Sequence, residues 1–262
     1  MLVAFTACEK DEEVVEETPA NIPGMGAAAG ELQVDPFNIE TEFEGIEIVG
    51  AIEGVSPDAS PIANELKSTS AAQSRNCYGS GHDVRVRVTL KNTSSKRRTV
   101  WLPRGLVFKV NKANYQHAML MQWTWICIQA GETRTFDLNL YCINKGDLGS
   151  DSSAEFSILG ITNSKVMWRL LRMIGWRKIN LEHYEQVADK SALKAETALS
   201  YETIVDNIQE AVWDLTNRSG LDSEREEFIM SIPMLEDGTY PTTLDDKTVD
   251  LPEWWNEYIP AN

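Results

Sequence analysis

The side chains best suited to covalent chemistry in this chain are its four cysteines, Cys8, Cys77, Cys127 and Cys142. A thiol can carry a lipid, pair with a second thiol in a disulfide, or attack an acyl carbon as a nucleophile. The position of each cysteine must decide among these uses. Cys142 ends an alternating apolar segment, on the same face as Phe136, Leu138 and Leu140, so we expect its sulfur to point into a core.

Metal and cofactor chemistry has no comparable signal. His82, His117 and His183 lie far apart along the chain, and none stands near cysteines or carboxylates at the spacing of metal ligands. The sequence also contains no Gly-x-Ser-x-Gly motif, no paired His and Ser motif and no P-loop. We therefore expect no metal and no cofactor, and an envelope enzyme is the least supported class of function.

Charge excludes one class of partner. Asp and Glu number 40 against 24 Lys and Arg, which gives a formal net charge of −16. A nucleic-acid-binding protein needs a basic footprint, so nucleic acid is not an expected partner. A chain of 262 residues is long enough to bury a full core, in one large domain or two small ones.

Alternating apolar residues predict a β-rich region over residues 36–162. The clearest strands lie between Asp83 and Asn144, and the six or seven short segments with turn residues between them are typical of a β-sandwich or Greek-key barrel. Trp123, Trp125 and Cys127 share one face of a strand, and Thr124 and Ile126 lie on the other. We expect the face with Trp123, Trp125 and Cys127 to point inward, because its two indoles carry the larger apolar area.

The period of the pattern changes to that of helices over residues 163–262. Ser164 can cap a first helix, a second runs from Ser200 to about Thr216, and a third begins at Asp222 or Ser223 and ends before Pro233. The expected fold class is therefore mainly β with a C-terminal helical region (α+β), the sandwich or barrel being followed by two or three helices packed on it.

The first helix is basic in an otherwise acidic protein. Lys165, Arg169 and Arg172 recur at helical spacing, and Arg177 and Lys178 close the segment. Such a helix can lie on a membrane or on an acidic partner. It can equally pack its apolar side on a sheet and leave its arginines in solvent.

The N-terminus resembles that of a bacterial lipoprotein. Phe5-Thr6-Ala7-Cys8 is similar to a lipobox, and Glu9-Lys10-Asp11-Glu12-Glu13 resembles the export signal of Bacteroides-type surface lipoproteins. The resemblance implies a signal remnant over 1–8, a lipid on Cys8 and a surface-exposed location on the outer membrane of a Gram-negative bacterium. Residues 9–35 are acidic and then glycine-rich, which predicts a disordered tether. The alternative is an ordinary N-terminus with a free thiol at Cys8.

A lipid on Cys8 would leave three thiols in an oxidising compartment. Cys77, Cys127 and Cys142 allow three pairings, each of which leaves one thiol over. A disulfide between Cys77 and Cys127 is one of them, with Cys142 as the remaining thiol.

Two further segments resemble the motifs of bacterial surface thioester domains. They are Tyr141-Cys142-Ile143 and Ile208-Gln209-Glu210-Ala211-Val212-Trp213, in which an aromatic residue precedes the cysteine and the glutamine lies in an apolar-Gln-x-x-apolar-apolar helix. The resemblance implies that the Cys142 sulfur and the Gln209 side chain join with loss of ammonia, and that the acyl group traps an amine on another surface. The alternative is a core cysteine or half-disulfide at position 142 and an ordinary helical glutamine.

The sequence thus predicts a lipid-anchored module of the cell envelope or surface that binds an unknown protein or glycan partner, or has a structural role there. The second hypothesis is a covalent adhesin with a Cys142–Gln209 thioester.

Overall fold

The computed structural model describes residues 17–56, 77–184 and 199–236, and the backbone of two short strands beyond them. The strands are β1 Val34–Asp35, β2 Ile46–Ile48, β3 Ile52–Val55, β4 Cys77–Gly79, β5 Val84–Asn92, β6 Arg98–Leu102, β7 Leu106–Val110, β8 Ala118–Leu120, β9 Thr124–Ile128, β10 Thr133–Cys142, β11 Glu155–Thr162, β12 Thr243–Leu244 and β13 Lys247–Thr248. The helices are α1 Ile39–Glu42, α2 Lys165–Ile174, α3 Tyr201–Asn217 and α4 Ser223–Ser231, with a 3-10 turn at Leu181–His183.

Six of the described strands form a closed antiparallel barrel. Its six strands follow the order β5-β3-β11-β7-β8-β10, and β10 returns to pair with β5 along eight residues, from Thr133 with Lys91 to Leu140 with Val84. β4 joins the barrel as a parallel neighbour of β10, while β6 and β9 form a separate antiparallel pair. The prediction of a mainly β fold with C-terminal helices is confirmed.

Strand alternation places an apolar cluster on each face of β10. Leu138, Leu140 and Cys142 are fully buried inside the barrel, as their spacing predicted. Tyr141 and Ile143 point to the opposite face, where they pack against α2 and α3. The end of β10 is therefore covered on both sides.

The expectation that Trp123, Trp125 and Cys127 point inward is confirmed for Trp123, which is 2% exposed, and is wrong for Trp125 and Cys127. Ile126 and Ile128 are fully buried in the barrel cluster, whereas Cys127 is exposed and Trp125 is only partly buried. Trp125 stacks instead on Trp123 at a ring distance of 6.5 Å, outside the barrel. The isoleucines of β9 thus join the barrel cluster, and the indoles form a separate cluster in which Trp123 is the buried member.

The helices begin where the sequence predicted. The side chains of Ser164, Ser200 and Asp222 accept hydrogen bonds from the first turns of α2, α3 and α4. The basic helix α2 buries Met167, Leu170, Leu171 and Ile174 against the barrel and α3, and Arg169 forms an ion pair with Glu226 of α4. Among the described residues, no helix combines the length and hydropathy needed to cross a membrane.

The expected disordered tether over 9–35 does not extend to residues 17–35, which pack on the domain. Ile22 and Met25 are each 1% exposed, buried among the helices. The backbone N–H of Gly26 donates to the carbonyl of Ile143 at 2.8 Å. Gly26 has φ +59°, and a Cβ there would lie 2.1 Å from the carbonyl oxygen of Thr216, so only glycine fits this close approach. Two apolar anchors and a tight turn therefore order the glycine-rich segment.

Candidate functional site

Helix α3 brings Gln209 into contact with Cys142, 67 residues earlier in the chain. The backbone N–H of Cys142 donates to Oε1 of Gln209 at 2.9 Å, and Nε2 of Gln209 donates back to the carbonyl of Cys142 at 2.9 Å. Gln209 is 2% exposed and Cys142 is fully buried. The glutamine lies on the apolar side of α3, beside Ile208 and Val212, which fixes the helix against β10.

The strand register explains why Cys142 is open to a side chain. The β5–β10 ladder ends at Leu140 paired with Val84, so the next position of the same edge would pair Cys142 with His82. The chain leaves the ladder before it reaches His82, because β5 begins only at Val84. The other edge of β10 is occupied, since the N–H of Ile143 donates to the carbonyl of His117. Gln209 thus occupies the ladder position that β5 leaves vacant.

The sulfur of Cys142 lies on the barrel side of this contact. Sγ is 3.3 Å from both the backbone nitrogen and the carbonyl oxygen of Asn144. Burial raises the pKa of the thiol to about 12, although the Asn144 backbone and the Trp213 indole act in the opposite direction. The thiol is therefore protonated at neutral pH, and the Gln209 carboxamide bonds to the backbone of Cys142 rather than to its sulfur.

An aromatic and a lysine lie over the same end of the barrel. The Trp213 ring, one turn after Gln209 on α3, packs against the barrel cluster. Nζ of Lys145 lies 4.4 Å from the centre of that ring and 3.8 Å from a carboxylate oxygen of Glu210. Trp213 lies close enough to Cys142 for its indole to act on the thiol, and Lys145 covers the Trp213 ring.

A small cleft opens beside the site, toward the N-terminus of α3. It has a volume of about 210 Å³ and is lined by Gly81, His82, Tyr201, Glu202, Val205 and Asp206. The His82 ring bridges two carboxylates, with Nδ1 2.7 Å from Asp83 and Nε2 2.9 Å from Asp206. The hydrogen bond with Asp83 is the main cause that raises the pKa of His82 to about 9, and Asp206 adds to it.

Sequence reasoning did not identify His82 as part of this site. The histidine is separated from Asp206 by 124 residues, and no spacing rule joins them. The available signal was its position, since His82 lies two residues before β5, the strand that pairs with the Cys142 strand.

The other thiols lie elsewhere. Cys77 is buried in β4, where its sulfur accepts a hydrogen bond from Nδ2 of Asn139 at 3.1 Å. Cys127 is exposed on β9, with Sγ 3.7 Å from Oγ1 of Thr99. The Cys77–Cys127 disulfide stays a prediction. Cys8 lies outside the described residues, so its lipidation also stays a prediction.

The remaining histidines have structural contacts. Nδ1 of His117 accepts a hydrogen bond from the backbone of Val110, and Nδ1 of His183 accepts one from the backbone of Asn180. Over residues 17–56, 77–184 and 199–236, no group of three or more His, Cys, Asp or Glu side chains could hold a metal ion.

Comparison of the chain with protein-family models, with curated proteins and with solved structures finds no match.

Proposed function

We propose that this protein is a lipid-anchored binding module of the cell envelope whose Cys142–Gln209 pair forms an internal thioester and captures an amine on its partner. The observation that carries the proposal is the reciprocal pair of 2.9 Å hydrogen bonds that joins the Gln209 carboxamide to Cys142 across 67 residues. Both residues are buried, so an acyl bond between them would be protected from water until an amine entered.

The chemistry balances with the atoms already present. Sγ of Cys142 attacks Cδ of Gln209, the bond between Cδ and Nε2 breaks, and Nε2 leaves as ammonia after taking up the thiol proton. The thiol is protonated at neutral pH because burial raises its pKa to about 12, so its proton must move to the leaving nitrogen during the reaction. A partner amine then attacks Cδ, which forms an amide and releases the Cys142 thiol.

The backbone of Cys142 has a role in this step. Its N–H already donates to Oε1 of Gln209, the atom on which negative charge develops when the sulfur adds to Cδ. A buried donor in that position stabilises the oxyanion without reorganisation. The opposite bond, from Nε2 to the Cys142 carbonyl, is lost with the ammonia. One of the two hydrogen bonds therefore survives thioester formation.

The same contact also favours a second function, a binding or structural module without covalent chemistry. The Gln209 carboxamide has its donor and acceptor satisfied by the Cys142 backbone, which is what a structural clamp between helix and barrel requires. In that case the protein or glycan partner is held by surface contacts alone.

Of the two predicted architectures, a β-sandwich and a Greek-key barrel, we infer the Greek-key barrel. The non-sequential order of the strands supports this choice.

The mass of the intact protein, purified without reductant, tests the proposal. We expect a species lighter than the sequence mass by one ammonia, which methylamine converts to an adduct on Gln209. Gln209→Ala and Cys142→Ala should each abolish the lighter species, whereas Cys127→Ala, a change at an exposed thiol, should keep it. Full sequence mass in the wild-type protein, with Cys142 alkylated after unfolding, would contradict the thioester and leave the clamp.

A further inference from the structure

The vacant ladder position beside Cys142 has two candidate occupants. By register it belongs to His82, and in the structure Gln209 fills it. The His82 side chain bridges Asp83, the residue before β5, and Asp206 on α3. The segment that holds His82 is therefore hydrogen-bonded to α3, the helix whose Gln209 occupies the ladder position beside Cys142.

We propose that His82 is a positioning residue, whose bridge between Asp83 and Asp206 holds α3 over the end of β10 and keeps Gln209 on the backbone of Cys142. The inference rests on the proposed function for its chemical meaning, because the same contact sets the approach of the Gln209 carboxamide to the sulfur. We call the three residues His82, Asp83 and Asp206 the latch.

The helix geometry places the latch next to the contact that it controls. Asp206 and Gln209 are three residues apart, so their side chains lie on neighbouring positions of the same side of α3. Asp206 is 65% exposed at the rim of the cleft, whereas Gln209 is buried. The hydrogen bond between His82 and Asp206 therefore holds α3 less than one helical turn before the buried carboxamide of Gln209.

The charges around His82 make this tie depend on its proton. The described groups that face it are the carboxylates of Asp83 and Asp206, and Glu202 lies across the same cleft. With a protonated ring, His82 donates to both of its carboxylates. Without that charge, Asp83 and Asp206 repel each other across the junction between strand and helix. The latch is closed when His82 is protonated and opens when His82 loses its proton.

An open latch exposes the site in a defined way. When α3 moves off the strand end, the N–H and carbonyl of Cys142 lose Gln209 and become open to water. The cleft beside Tyr201 and Val205 then extends toward Cδ of Gln209, which gives an attacking amine its path. We therefore expect the latch to control both formation of the Cys142–Gln209 bond and its reaction.

Hydrogen exchange of the Cys142 amide, followed by NMR, tests the latch directly. The Leu140 amide is the internal reference, because Leu140 pairs with Val84 and not with Gln209. Asp206→Asn and His82→Gln should each speed exchange at Cys142 relative to Leu140 about tenfold or more, the effect of weakening one hydrogen-bonded contact. Glu202→Gln, which removes a neighbouring charge that His82 does not bond, should change this ratio less than twofold, and Asp206→Glu should largely restore it.

The pH profile separates a latch from general support of the fold. The pKa of His82 is raised from 6.5 to about 9, so its contribution is complete below pH 6.5 and is lost as the pH rises through about 9. In the wild-type protein, Cys142 protection relative to Leu140 should fall across that window. In His82→Gln, protection of the Cys142 amide relative to that of Leu140 should be low at every pH.

The latch and the thioester can fail separately. A Cys142→Ser background cannot form a thioester, and exchange of the amide at position 142 there reports the latch alone. An unchanged exchange ratio in Asp206→Asn and His82→Gln would overturn the latch, whatever the mass of the wild-type protein. A wild-type protein of full sequence mass would end the thioester proposal. If Asp206→Asn and His82→Gln still raised Cys142 exchange relative to Leu140, His82 would remain the residue that positions Gln209.

Discussion

At the scale of single residues, Gln209 acts as a substitute for a peptide group. Its carboxamide offers one donor and one acceptor on the same side, which matches the N–H and carbonyl that Cys142 presents to the vacant edge. An alanine cannot do this, and glutamate lacks the donor. The position therefore requires glutamine or asparagine chemistry at a length that only glutamine has.

Gln209→Ala should lower the free energy of unfolding by about 1–3 kcal/mol, because it leaves buried polar groups of Cys142 without a partner. The measurement is urea unfolding in the Cys142→Ser background, which removes any covalent contribution. Glu202→Gln, an exposed change on the same helix, should stay within about 0.5 kcal/mol of its parent. A loss below that value for Gln209→Ala would show that water satisfies the strand end as well as the carboxamide does.

At the scale of elements, the sequence predicted what depends on periodicity and caps. The helix starts at Ser164, Ser200 and Asp222, and the inward face of β10 up to Cys142, follow from local pattern and are present in the structure. These features need no knowledge of distant residues.

The orientation of β9 could not be read in this way, because both faces of its sequence are apolar. Apolar area alone favoured the indoles, but the fold places Ile126 and Ile128 in the barrel cluster and packs Trp125 on the buried Trp123 in a separate cluster. In the same way, the order of residues 17–35 depends on Ile22 and Met25 finding a site between helices. The latch depends on a contact across 124 residues, which only the fold supplies.

Neighbouring substitutions in β9 test its orientation. Ile126→Ala removes a fully buried side chain and should cost about 2–5 kcal/mol of unfolding free energy. Cys127→Ala, one residue along the strand at an exposed position, should cost less than about 0.5 kcal/mol. Urea unfolding of both variants decides the orientation, because the reverse order of costs would restore the inward face that the tryptophans suggested.

At the scale of the whole molecule, the site lies where two apolar clusters meet. One fills the barrel and the other joins the barrel to the helices, and the end of β10 contributes to both. Residues 17–35 add to the second cluster, so the chain between Cys8 and the domain is shorter than the predicted tether. Of the predicted tether, only residues 9–16 lie outside the described structure. A lipid on Cys8 would therefore hold the domain close to the membrane surface.

Lipidation of Cys8 is the prediction that decides where the protein acts. It follows from the resemblance of Phe5-Thr6-Ala7-Cys8 to a lipobox. Expressed in a Gram-negative host behind a complete signal peptide, the protein should partition into the detergent phase, and Cys8→Ser should move it to the aqueous phase. One acyl chain binds a membrane only reversibly, so stable partitioning requires the multiple chains of a lipoprotein anchor. Cys127→Ser is the matched control, since it removes an exposed thiol without touching the anchor. Detergent partitioning that persists in Cys8→Ser would place the membrane contact elsewhere, and the basic helix α2 would be the next segment to test.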